Sequence, residues 1–239
     1  MNTLRVSLII AIVSLLMVQQ SHARQWQGSI DLNLGAPQAE FSEQLDRTGV
    51  GIGLTAGYQF NDSPFILGFD FGFMNFGIDS REEPLSSNIP DLTVRVENSY
   101  NLVNGNIVLR AITGEASVRP FLEGLVGFNY FYTQTTIRER GFGNEDVLQD
   151  TNFDDFALNY GFGGGAMFRV WRNRDANSGT DTNPIQSVYI NVASRYLFGN
   201  EAEYLQEGSI STGNGGVTYD VSRSETDLLY FKLGVGFKF

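Results

Sequence analysis

Eight charged side chains interrupt stretches that are otherwise small and uncharged: the acids Asp31, Asp70 and Glu123, and the bases Arg110, Arg169, Arg195, Lys232 and Lys238. Each shares its parity with small polar neighbours, so in extended chain all eight point to one face. Held together away from water, such groups form short charge-assisted hydrogen bonds, bidentate where arginine meets a carboxylate. That is a chemistry of positioning and neutralisation, and turnover would need more. The only histidine, His22, falls within an N-terminal leader, and the chain has no cysteine. Without the leader there is neither an imidazole base nor a thiolate nucleophile. A carboxylate could act as base, but nothing sets a serine beside one on the apolar face.

Two glycine runs, "GVGIG" (Gly49 to Gly53) and "GFGGGA" (Gly161 to Ala166), superficially look like phosphate-binding loops. Both lie inside alternating segments, and neither opens a helix whose N-terminus could hold a phosphate. They read as relief of crowding or as points of curvature in strands. The acidic stretches "DSREEP" (79–84), "NEDVLQD" (144–150) and "NEAEYLQE" (200–207) lack the ligand spacing of a calcium loop and read as solvated surface. No metal, no cofactor and no catalytic residue is expected.

The elements that carry these charges have a period of two. Strand one, 25–34, sets Trp26, Ile30, Leu32 and Leu34 against Asp31 and Asn33; strand two, 49–60, sets Val50, Ile52, Leu54, Tyr58 and Phe60 against glycines. Strand three, 65–78, opposes Leu67, Phe69, Phe71 and Phe73 to Gly68, Asp70 and Gly72. Strands five to eight (119–135, 156–171, 185–198 and 226–239) repeat the pattern, with Glu123, Arg169, Arg195 and Lys232 on the small-residue face. Strand four is ambiguous, because Asn104-Gly105 is a strong hairpin signal. Splitting it there would give nine strands and a seven-residue fragment. One strand from 93 to 112 is preferred, with a bulge at Leu102-Val103 that moves the outward parity from Tyr100 and Leu102 to Val103, Ile107 and Leu109. A turn centred near residue 116 then places Arg110 opposite Glu123.

Long polar loops at 35–48, 79–92, 136–155 and 199–225 alternate with shorter links at 61–64, 113–118 and 172–184. Alternation alone does not say which face is inside, since a soluble barrel has the same period in the opposite sense. Here the polar face is mostly Gly, Ser, Thr, Asn and Gln, which suits a narrow lumen better than water. The other face is too bulky and continuous to pack inside eight strands, whose interior only just holds side chains. It must meet lipid. Aromatics bracket that band, Trp26 and Tyr58 toward the turns and Tyr100, Tyr130 and Tyr196 toward the loops, as interfacial girdles require.

Residues 1–23 read as a cleaved signal peptide: Arg5 in a short n-region, an apolar run from Val6 to Val18, and Ser21-His22-Ala23 as the cleavage signal. Thirteen helical residues reach roughly 20 Å, short of a bilayer core of about 30 Å. The remaining 24–239 form one domain, with no linker or composition shift. The formal charge of −11 becomes −12 once Arg5 is removed, which disfavours nucleic acid as a partner. The absence of cysteine means export without disulfides.

A leader, eight amphipathic strands, turns alternating with loops, and a terminal "FKF" together resemble the small outer-membrane β-barrel superfamily of Gram-negative bacteria, the OmpA/OmpX type. "RPFLEGLVGFNYF" (Arg119 to Phe131) and "RYLFGNEAEYL" (Arg195 to Leu205) are similar to segments of its outer-membrane β-barrel domain branch. The resemblance implies an all-β, eight-stranded antiparallel up-and-down transmembrane barrel in the outer membrane. It implies contact with membrane lipid and lipopolysaccharide, delivery by the outer-membrane assembly machinery with Phe237 and Phe239 as part of the C-terminal signal, and a monomer. The barrel enzymes of that membrane, the lipid A deacylase, the palmitoyltransferase and the omptin proteases, each rely on a histidine that this chain lacks after its leader. The expected role is non-enzymatic, structural or surface-interacting, with a filled polar lumen. The alternatives are a channel for small solutes or hydrophobic ligands and a soluble secreted binding barrel.

Overall fold

The computed structural model describes residues 25–60, 63–86, 89–139, 146–173, 184–206, 209–213 and 216–239. The leader assigned to residues 1–23 lies outside them, as do residues 140–145, which include the first two of the acidic stretch 144–150, and most of the 172–184 link. Eight strands close a barrel: β1 (Trp26–Pro37), β2 (Gly49–Gln59), β3 (Phe65–Ser86), β4 (Ile89–Ile112), β5 (Val118–Glu139), β6 (Asp146–Arg172), β7 (Ser187–Gly199) and, after four short strands, β12 (Leu228–Lys238). All neighbours are antiparallel and follow chain order, and β12 pairs with β1 to shut the ladder. The last bond of the seam is donated by the Phe239 N–H to the Trp26 carbonyl, 2.9 Å. The C-terminal strand is thus a structural closure, with Phe237 beside Gly28 and Val188.

Asn104-Gly105 lies within β4, whose pairing with β5 runs without a break from Val94↔Glu139 to Ile112↔Phe121. The bulge expected at Leu102-Val103 is therefore not there. It lies on β3, where the register steps from Asn75↔Asn101 to Gly77↔Tyr100 and leaves Phe76 as the extra residue. Gly77 adopts φ 144°, a region that side chains disfavour, and its N–H donates to Asn75 Oδ1 at 3.0 Å. With β4 unbulged, its even-numbered residues from Val96 to Ile112 face inward, and Tyr100 (5 % exposed) and Leu102 (0 %) are lumen residues. Tyr100 is thus no part of the outer girdle. The apparent parity switch arose because the lumen near the loops is apolar, so hydrophobicity no longer marks the lipid side there.

Elsewhere the outward face is the one the period indicates. Ile30, Leu32, Ile52, Leu54, Phe69, Phe71, Leu122, Leu158, Phe162 and Leu233 are all exposed. The girdle contains Trp26 edge-on to Tyr58 (5.3 Å between rings), Tyr130 stacked on Tyr132 (5.7 Å), and Tyr196 against Phe198 (4.8 Å). No described helix is long and apolar enough to cross a membrane; the crossing is made by strands.

Three of the four long connections are more regular than loops. β3–β4 and β5–β6 continue as hairpin ladders to Ser86↔Ile89 and to Arg138↔Asp146. β6 has 27 residues, where a tilted membrane strand needs about 9–11. The 199–225 segment forms β8 (Glu201–Tyr204), β9 (Ile210–Gly213), β10 (Gly216–Tyr219) and β11 (Ser222–Glu225), paired as β8–β11 and β9–β10. The 35–48 segment carries a short helix, α1 (Ala39–Gln44), whose one buried residue is Phe41.

Leu54 pairs with Ile30 and Phe71 midway along the apolar band, whereas Thr48 precedes β2 beyond its loop-side end. Leu54→Arg should reduce folding stability in bilayers by about 2–4 kcal/mol and Thr48→Arg by under about 1 kcal/mol. Urea titration of the two variants in liposomes checks the ranking, and the reverse order would contradict the place of Leu54 midway along the lipid-facing band.

Candidate functional site

Six of the eight charged residues meet in the middle of the lumen, one each from β1, β3, β4, β5, β7 and β12. Glu123 receives Arg110 Nε (3.0 Å) and Nη2 (2.8 Å) on one oxygen and Arg195 Nε (2.5 Å) on the other. Arg195 Nη1 reaches Asp70 at 2.8 Å, and Lys232 Nζ bridges Asp70 to Asp31, 3.3 Å from the latter. The network is neutral, three carboxylates against three cations. Asp31, Asp70, Glu123, Arg195 and Lys232 are all under 5 % exposed. Arg110 and Glu123 are directly cross-strand, as counting from the turn places them.

Two hydroxyls complete the chain of bonds. Ser29 Oγ donates to Asp31 (2.9 Å), and Thr55 Oγ1 donates to Asp70 (2.7 Å). Both have inward parity, but nothing else in the sequence distinguishes them. Close approach at the network also explains two inward glycines. A Cβ on Gly163 would lie 2.7 Å from Arg195 Cγ, and one on Gly234 would collide with Asp31.

Arg169 and Lys238 do not join this network. They face inward at the turn end, where Lys238 Nζ bonds Glu115 Oε1 and Arg169 Nη1 stands 3.8 Å from Glu115 Oε2. Glu115 sits in the β4–β5 turn, outside any alternating segment, so no periodicity could place it. Burial pushes its carboxyl pKa up. The hydrogen bond and charge of Lys238, with the charges of Arg119 and Arg169, outweigh that and hold the group below its ordinary value. Arg119 was also not evident as a site residue. It is 1 % exposed, and its Nε donates to the Thr113 carbonyl at 3.3 Å.

Apolar layers enclose the charged layer on both sides, so the lumen is polar only in its middle. Toward the loops, Met74, Phe76, Tyr100, Leu102, Phe131, Leu197 and Leu228 project inward, and Phe41 from α1 and Tyr204 from β8 descend onto them. The Phe41 ring has edge contacts to Phe76 (6.1 Å), Phe131 (5.7 Å) and Tyr204 (5.2 Å). Asparagines and Tyr230 line the transition, with Asn159 donating to Asn129 at 2.8 Å. Toward the turns, Ile66, Ile112, Phe121, Met167, Tyr189 and Ala193 form a second apolar layer, with Arg110 lying 4.0 Å over the Phe121 ring. Between these layers a void of about 30 Å³ adjoins Ser29, Thr55 and Arg110. Beyond the second layer a cavity of about 420 Å³ opens at the turn-end mouth. Among the described residues no group of acids is placed to hold a metal ion.

A closed antiparallel barrel with an apolar, aromatic-edged exterior and a paired polar lumen is an integral membrane barrel. The chain belongs to the outer membrane protein beta-barrel domain family, whose model matches residues 8–187, and its location is the outer membrane. Among solved structures it is similar to Neisserial surface protein A, NspA (13 % identity, 90 % of this chain and 96 % of that one, TM-score 0.43). It is also similar to Ail of Yersinia pestis, solved in complex with the heparin analogue sucrose octasulfate (14 %, 90 % and 97 %, 0.38). A third is a major outer membrane protein of Thermus thermophilus (11 %, 90 % and 99 %, 0.44). No curated protein matches the sequence.

Removing one member of a buried ion pair strands the other, at a cost of about 3–5 kcal/mol. Arg110→Met and Glu123→Gln should each approach that range. The double variant should cost clearly less than the sum, because it leaves Arg195, Asp70, Asp31 and Lys232 with balanced charge. A double-mutant cycle of unfolding free energies measures the coupling, and strict additivity would contradict the contact.

Proposed function

We propose that the protein is a non-enzymatic outer-membrane barrel that acts as a rigid scaffold displaying a structured surface, with a lumen that does not conduct. One observation carries this reading: a neutral, ion-paired layer is enclosed between two apolar layers, of which the outer is built partly from Phe41 and Tyr204 of the connecting segments. An ion would have to break buried pairs and then cross an apolar plug. The lack of any histidine after the leader fits a role without turnover.

The displayed surface is acidic in this reading. Glu40, Glu43, Asp154, Glu201, Glu203 and Glu225 are exposed or half-exposed toward the loop end, on elements held by hydrogen bonds such as Glu203 N–H to Asp155 at 2.7 Å. A partner recognised by that crown would carry positive charge. The barrel is monomeric in this proposal, surrounded by lipid and lipopolysaccharide, and assembled by machinery that reads Phe237 and Phe239 at the exposed end of the closing strand. Nucleic acid is disfavoured by the net charge of −11.

Planar-bilayer recording tests the reading against a channel for small solutes or hydrophobic ligands. The refolded protein should leave conductance at background in symmetric salt. Discrete, reproducible steps that scale with protein added would replace the scaffold with the channel.

A further inference from the structure

The turn-end mouth holds a charge imbalance that the central network lacks. Among the described residues, Arg119, Arg169 and Lys238 converge on a single side-chain carboxylate, Glu115. Arg119 is 1 % exposed, lines the cavity of about 420 Å³, and has no hydrogen-bond partner for Nη1. A buried guanidinium N–H without an acceptor is costly unless something in the cavity accepts it. The same cavity is also lined by the polar side chains of Gln59, Ser63 and Thr113. Glu115, whose side chain is 51 % exposed, sits in the turn 113–117 at the rim and can swing outward without disturbing a strand.

We propose that this mouth is a binding site for a small free oxyanion, a phosphate or carboxylate group entering from the turn side, which the short turns place in the periplasm. Arg119 Nη1 and Lys238 Nζ donate to the anion, and Arg169 adds charge. Glu115 is the intramolecular stand-in for the ligand: it offsets part of the positive charge when the site is empty and is displaced when the anion arrives. A planar guanidinium fork beside a mobile ammonium suits a tetrahedral or planar oxyanion and gives no purchase to chloride. The apolar layer of Ile66, Ile112, Phe121 and Tyr189 floors the site and separates it from the central network. The proposal does not depend on whether the barrel conducts.

The probe is inorganic phosphate, added to the protein refolded in a phosphate-free maltoside detergent at constant ionic strength, with chloride as the matched control. Isothermal calorimetry and the Arg119 Nε–H resonance read binding. Saturable binding with a shift of that resonance is expected for phosphate and not for chloride. Glu115→Gln should bind roughly tenfold tighter and Lys238→Gln roughly tenfold weaker. Arg119→Gln is less informative because its buried side chain supports packing, so Glu115 and Lys238, both at the rim, carry the test. No saturable shift in the wild-type protein, or Glu115→Gln binding no tighter than wild type, overturns the proposal. A parallel titration with short-chain phosphatidylglycerol distinguishes the source: a shift seen only with the lipid would replace the free anion with a headgroup and also overturn it.

Discussion

In hydrocarbon an unpaired peptide group costs several kcal/mol, and a sheet has two edges of them unless it closes on itself. The seam between β1 and β12 is where this chain meets that constraint. Its ladder runs from Gln27↔Lys238 to Pro37↔Leu228, and Phe239 adds one more bond to Trp26 at the turn end. Once the ladder is shut, each strand has one face to lipid and one to the lumen, and the period of two becomes a rule about solvent. Leu54 and Asp70 are opposite in chemistry because their strands leave them no other direction.

Closure creates the second problem, that of filling an interior only just wide enough for side chains. The charges solve it by pairing across the space as well as along the wall. Arg195 on β7 reaches Asp70 on β3, strands that are not neighbours in the sheet, while also holding Glu123. Each of these ions is stabilised only while the others stay in place, since the surroundings offer little water to a stranded charge. The network therefore couples distant strands, and the glycines at 163 and 234 are the concession the wall makes to it.

The wall was legible in the sequence and the interior only in part. Strand number, facing and the Arg110–Glu123 pair follow from alternation and from counting back from a turn, both local operations. Cross-lumen bonds such as Arg195–Asp70 have no local signature, and neither does Glu115 in its turn. Tyr100 and Leu102 were misplaced for a different reason. Alternation reports contrast between faces, and where the lumen itself is apolar the contrast disappears. The Asn75-Phe76-Gly77 step carried the needed clue, a glycine at the point where an extra residue must be absorbed, but glycine is so common in these strands that it did not stand out. The long connections were read as loops because their composition is polar; strands that protrude from the membrane into water on both faces lose the apolar stripe that identifies strands within it.

That protruding region is where the apolar plug changes what the barrel can do. Phe41 and Tyr204 come from connecting segments and bury their rings inside the barrel against Phe76 and Phe131, each such side chain contributing about 1.5–3 kcal/mol. A connection anchored by an aromatic in the lumen is not free to wander. α1 is tied down through Phe41, the β8–β11 ribbon through Tyr204, whose hydroxyl also bonds Ser224 at 2.8 Å, and Arg81 on the β3 extension donates to the Ile210 carbonyl at 2.7 Å. A partner that docks on such a surface meets elements already ordered, so less of the interaction energy is lost to immobilising them. The same rings that obstruct the lumen thus stiffen the face outside it, and a filled barrel and a fixed surface have one physical cause.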